Sequence, residues 1–149
     1  MKNKSPKPQT FTFFKADTTT RLNLPFIEEG IKAGFPSPAQ DYVEQSIDLN
    51  KTLIKHPAST FFAKVDGDSL YDSFIFDGDM VVIDKSLQVR EGCKVVAYID
   101  GEYTMKTVKL GKNCVYLIPD NPNYPTITVT PDQEFLIWGV VTYSIHKHY

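Results

Sequence analysis

The sequence predicts a mostly β fold, a compact curled antiparallel β domain with a flexible N-terminal arm. Three observations carry that expectation. From Thr60 onward, short β-type runs alternate with turn residues. Two of those runs flank Asp100-Gly101, a two-residue hairpin signal. The first 40 residues are interrupted by Pro6, Pro8, Pro25, Pro36 and Pro38 and cannot sustain a long helix. Strands at this spacing suit a curled or barrel-like sheet.

Residues 1–40 are the arm, with the Thr18-Thr19-Thr20 run and isolated Gly30 and Gly34. Their short apolar pieces, Phe11, Phe13 and Phe14 and then Leu22, Leu24, Phe26 and Ile27, are patches suited to docking on another surface. Residues 41–149 form the folded domain. Between the two, Ala39 to Leu53 has helical periodicity in Tyr42, Val43, Ile47, Leu49 and Leu53, with Pro38 at its start and a bend expected at Asp48-Leu49-Asn50. Strands are expected at Thr60 to Val65, Asp79 to Asp84, Lys94 to Ile99, Glu102 to Leu110, Val115 to Ile118, Thr126 to Val129 and Phe135 to His146. Pro119, Pro122, Pro125 and Pro131 punctuate the later connections.

A chain of 149 residues fits one domain, and 42% hydrophobic content supplies a core that needs no disulfide or metal staple. Cys93 and Cys114 lack partners at metal-ligand spacing and fit reduced thiols. A net charge of −2 gives no general reason for phosphate binding. Phe11 to Phe14 is too short for a signal-peptide core, and no run of 18 apolar residues occurs. These features predict a soluble, cytoplasmic protein with no membrane attachment and no cofactor.

Two residues invite chemistry. Ser69, in Val65-Asp66-Gly67-Asp68-Ser69-Leu70, follows a strand and sits where a turn presents a nucleophile, although a serine there also suits capping of a short helix from Leu70 to Phe74. Lys106 lies on the strand leaving the Asp100-Gly101 hairpin, on one face with Thr104 and Val108. Facing inward, its amine is desolvated and becomes a usable base. Substantial neutrality near pH 7 requires its pKa to fall by roughly three from about 10.4. Taken singly, each residue also has an ordinary structural explanation.

Together, Gly67-Asp68-Ser69, the Gly78-Asp79 strand and Asp100-Gly101-Glu102-Tyr103-Thr104-Met105-Lys106 resemble the LexA/UmuD self-cleaving peptidase family. Gly34-Phe35-Pro36-Ser37-Pro38-Ala39, Asp41 to Gln45, Ile47 to Asn50, Leu117-Ile118-Pro119 and Phe135 to Val141 are similar to the UmuD branch. The resemblance runs from about Gly30 to the C-terminus. It implies a serine–lysine peptidase and dimerisation domain in which Ser69 attacks a backbone carbonyl of the same protein and Lys106 takes its proton. Backbone N–H groups at the Ser69 turn would stabilise the oxyanion. The implied cut is Ala33–Gly34, because the family cleaves between a small residue and glycine. Leu70 stands in place of the family's usual methionine, and Ala33 in place of the cysteine of the best-known UmuD.

The resemblance further implies a homodimer cleaved on stimulation by a RecA–single-stranded DNA filament. Its processed form would serve a UmuC-like Y-family DNA polymerase in damage-induced translesion synthesis. A non-catalytic regulator of damage-inducible transcription is the alternative. Other classes fit less well. A Gly-Asp-Ser-Leu esterase needs an Asp-x-x-His, which His146 and His148 do not provide. A sequence-specific DNA-binding repressor needs a helix-turn-helix domain ahead of the cut, and the 33 proline-broken residues before Gly34 do not fit one. Signal peptidase requires a membrane anchor. His146-Lys147-His148 is expected as a fraying strand end rather than a metal site, and Asp66, Asp68, Asp72, Asp77 and Asp79 as turn formers rather than calcium ligands.

Overall fold

Alternating apolar and polar residues, broken by turn residues, fold into strands, most of which pair with a chain neighbour, while β1–β4, β5–β10 and β6–β10 join distant segments. The structure, a computed structural model, describes residues 10–21, 23–26, 45–67 and 71–149. In chain order the elements are β1 (Thr10–Lys15), β2 (Asn23–Phe26), β3 (Gln45–Asp48), α1 (Leu49–Leu53), β4 (Thr60–Asp66), β5 (Met80–Asp84), β6 (Lys94–Ile99), β7 (Glu102–Leu110), β8 (Val115–Ile118), β9 (Ile127–Val129) and β10 (Phe135–Ile145). Short 3-10 turns cover Pro57–Ser59 and Tyr71–Ser73. Eight strands make one sheet in the order β1-β4-β5-β10-β6-β7-β8-β9, and β2 and β3 make a separate ribbon. Every pairing is antiparallel. The mostly β, antiparallel expectation is borne out.

Apolar side chains fill both faces of the central strands. Ala63, Val65, Ile75, Val81, Ile83, Val96 and Met105 form one buried cluster; Val95, Ala97, Val108, Leu117 and Val140 form the other. Val95 and Val96 fall in different clusters because successive side chains leave a strand on opposite sides. β10 crosses between β5 and β6 and shifts register twice, at Ile137/Gly139 and at Val141/Tyr143. The first irregularity needs its glycine: a Cβ on Gly139 would stand 2.6 Å from Ile83 Cγ2.

Two departures from the sequence expectations have clear causes. Residues 45–48, within the helix expected over Ala39 to Leu53, are extended and pair with β2; only Leu49–Leu53 is helical. Asp48 marks the change, with extended backbone (φ −97°, ψ 108°) and a carboxylate that accepts the Asn50 N–H as an N-cap. Residues 39–44 lie outside the described residues. Within the expected arm, β1 is a strand of the main sheet, and its Phe11 and Phe13 pack on the first core cluster. The apolar patch at Phe11 and Phe13 therefore does have a docking surface.

Candidate active site

The register that places Lys106 begins at the hairpin turn. Asp100 (φ 47°) and Gly101 (φ 91°) both take the left-handed region required of a type I′ turn, tolerable for aspartate and unstrained for glycine. Ile99 then opposes Glu102, and counting along the ladder sets Lys106 opposite Val95. Alternation turns Lys106 and Thr104 to the same side, and Lys106 Nζ donates to Thr104 Oγ1 at 2.8 Å and to the Met105 carbonyl at 3.1 Å. The Tyr124 ring centre lies 5.8 Å from Nζ.

Lys106 is 4% exposed. Burial disfavours its charged form and pushes its pKa down to about 8, with the nearby Asp120 carboxylate resisting that fall. A surface lysine does not behave this way. An amine with this value is neutral in about a tenth of molecules at pH 7 and in most of them by pH 9. The side chain thus faces inward and its amine is desolvated, while its pKa stays above 7.

Ser69 lies outside the described residues, as do its neighbours Asp68 and Leu70 and the expected cleavage residues Ala33 and Gly34. The segments on either side of Ser69 are described. Gly67 ends β4's extension at φ 122°, and its N–H donates to Asp77 Oδ1 at 2.9 Å. The Tyr71–Ser73 turn follows, ending at Phe74, a non-glycine residue at φ 59° whose side chain is 78% exposed. Such a backbone is held by its surroundings at a cost on the order of 1 kcal/mol.

What holds it is Asp120, which the sequence expectations missed. The Asp72 N–H donates to the Asp120 carbonyl at 3.1 Å, and Ser73 Oγ donates to its carboxylate. The same carboxylate accepts from Lys94 Nζ at 2.9 Å and Thr107 Oγ1 at 2.9 Å. Partial burial raises the Asp120 pKa, but the bonds from Ser73, Lys94 and Thr107 outweigh it and hold the group below the usual carboxylate range. Asp120 thus ties the turn after Ser69 to β6 and to β7 one residue beyond Lys106. Asp120→Asn should lower the pKa of Lys106 further, because less negative charge then opposes the loss of its proton. Titration of the Lys106 amine by NMR in both proteins checks this.

The remaining candidates have structural work to do. Asp77 accepts from Gly67, Asp66 from Thr10, and Asp79 from the Phe76 N–H. His146 Nδ1 bonds the buried Asp79 carboxylate and its ring lies tilted against Phe76 with centres 5.0 Å apart, so His146 is anchored rather than frayed. Among the described residues no cluster of His, Cys, Asp and Glu has the makings of a metal site. Cys93 and Cys114 are free, half-buried thiols. Among the described residues no helix is long and apolar enough to cross a membrane.

The chain is similar to known proteins over most of its length. Residues 25–142 match the family described as Peptidase S24-like. Protein MucA of Salmonella typhimurium is 41% identical over 138 residues, 91% of this chain and 93% of its own length. Protein SamA of Salmonella typhimurium strain LT2 is 45% identical over 123 residues, 83% of this chain and 85% of its own. LexA repressor 2 of Xanthomonas axonopodis pv. citri is 38% identical over 119 residues, 80% of this chain but 55% of the repressor.

Proposed function

The chain belongs to the Peptidase S24-like family with UmuD-like relatives, and from that premise we propose that it is a serine endopeptidase acting on itself at Ala33–Gly34. The observation that carries the proposal is Lys106, a buried amine with a pKa of about 8 beside the carboxylate that fixes the turn after Ser69. Ser69 Oγ adds to the Ala33 carbonyl carbon as its proton passes to Lys106 Nζ. The Ala33–Gly34 C–N bond then breaks, and Lys106 returns the proton to the departing Gly34 amine. Water, deprotonated by the same amine, hydrolyses the Ser69 ester and leaves Ala33 with a free carboxylate. Because substrate and nucleophile share one molecule, binding entropy is largely settled before reaction.

In this reading the protein is a cytoplasmic homodimer of the SOS response to DNA damage. A RecA–single-stranded DNA filament stimulates the cut, and the processed form is accessory subunit to a Y-family translesion polymerase. Residues 1–40 supply the arm with the cleavage site, and residues 41–149 the catalytic and dimerisation domain. Incubating purified protein at alkaline pH, with and without the filament, should release a chain whose mass begins at Gly34. A different new terminus, or none under either condition, would overturn the assignment. Gly34→Val should block the cut, since a β-branched side chain next to the scissile carbonyl hinders approach of the nucleophile. Cleavage of that variant at the native rate excludes this bond as the site.

A further inference from the structure

Residues upstream of the proposed cut are bound to residues downstream of it by two separate ladders. β1 pairs along β4 from Thr10 opposite Asp66 to Lys15 opposite Phe61, and β2 pairs along β3 from Asn23 opposite Asp48 to Phe26 opposite Gln45. Three more hydrogen bonds join the same two portions: Thr10 Oγ1 to Asp66 Oδ2 at 2.8 Å, the Ala16 N–H to the Thr60 carbonyl at 3.3 Å, and Asn50 Nδ2 to the Thr20 carbonyl at 2.7 Å. Phe13 lies 4.5 Å from the Trp138 ring of β10 and 5.0 Å from the Tyr103 ring of β7, and Phe11 stacks behind it at 6.0 Å. Hydrolysis of bond 33–34 breaks none of these contacts.

We propose that the N-terminal fragment stays bound after cleavage as a second, non-covalent chain, and that the β4 edge with its Tyr103–Trp138 slot is a strand-docking site whose occupant is the Phe11-x-Phe13 segment. The inference rests on Ala33–Gly34 being the cut. Cutting changes the tether rather than the contacts: an intramolecular strand held at an effective concentration on the order of mM becomes a ligand that dilution or competition removes. Main-chain bonds to β4 supply affinity, and aromatic residues at alternate positions supply selectivity, as in other cases of strand addition. Once β1 leaves, β4 presents unpaired N–H and C=O groups, and the slot accepts an extended segment of the same pattern. Cleavage therefore arms the surface, and displacement of β1 exposes it.

The test nicks the full chain in two ways. In one the protein cuts itself, verified by the mass of the chain beginning at Gly34. In the other a recognition sequence for an unrelated protease is inserted after Gly30 and cut by that protease. Both nicked proteins are then run on native size exclusion. The fragment should elute with the body in each case, and a synthetic peptide of residues 10–26, which spans both ladders, should displace it at about tenfold lower concentration than the same peptide with serine at positions 11 and 13. Failure of self-cutting alone sinks the peptidase reading and leaves strand docking decided by the protease-nicked chain. A fragment that elutes free from a body of unchanged circular dichroism overturns retention. Equal displacement by the two peptides overturns the aromatic slot as the selective element.

Discussion

Lys106→Arg should lower self-cleavage about a thousandfold, within the range typical of removing a general base. Arginine matches lysine in length and packs its stem alongside, but its guanidinium stays protonated and accepts no proton. The native rate should rise with a midpoint near pH 8 and level off above it, following the neutral fraction of the Lys106 amine. The measurement is the initial rate of Gly34-chain formation at intervals from pH 6 to pH 10 for both proteins. A flat native profile, or an arginine variant with native activity, removes Lys106 as the base.

Ser69→Ala should abolish cutting to the detection limit, a loss on the order of a thousandfold or more, while leaving the pH dependence of stability untouched. Lys106→Met should also abolish cutting but change that dependence, and the pair separates chemistry from folding. The Lys106 pKa is about 8 in the fold, below the ordinary value of 10.5. Between those values the unfolded chain binds more protons than the native one, so stability rises with pH there. The penalty for burying the ammonium is fully present below about pH 8 and is relieved as pH climbs toward 10.5. That fall in pKa corresponds to roughly 3 kcal/mol. Methionine has similar bulk and no charge, so Lys106→Met should be more stable at pH 7 by about 1–3 kcal/mol, after losing the bonds to Thr104 and Met105. Urea melts at pH 7 and pH 10 test this. A Lys106→Met protein less stable than native at pH 7 would show that the buried lysine is held at no such cost.

Much of the fold was legible because β4–β5 and β6 to β9 pair in chain order, whereas the pairings of β1 with β4 and of β10 with β5 and β6 join distant segments. The expected strands from Thr60 onward differ from the observed ones by no more than one residue at an end. Lys106 was legible for the same reason: Asp100-Gly101 fixes the register and alternation fixes the face. The ribbon of β2 and β3 was not. Val43 with Ile47 and Leu49 with Leu53 fit a helical period, and the decision for strand at 45–48 rests on pairing with β2, 19 to 25 positions away. Asp120 was hidden differently. Between Pro119 and Pro122 it has the look of a turn residue, and its partners Ser73, Lys94 and Thr107 come from three distant segments. Ser69, Ala33 and Gly34 rest on motif and resemblance, outside the described residues.

The position of β10 has a consequence in time. Ser69 follows β4, and Lys106 sits on β7; in the hydrogen-bonded sheet, among the described residues, the β4–β5 pair meets the β6–β9 group through β10. A ribosome delivers that strand after the other described strands. Until Phe135–Ile145 has emerged, the hairpins on either side have no ladder to join them, and burial on both faces of Lys106's neighbourhood is incomplete. The ladder between β4–β5 and β6–β9 is therefore the last to close, and before it forms the two groups meet through the Asp120 bonds and the Phe13–Tyr103 contact rather than through the sheet.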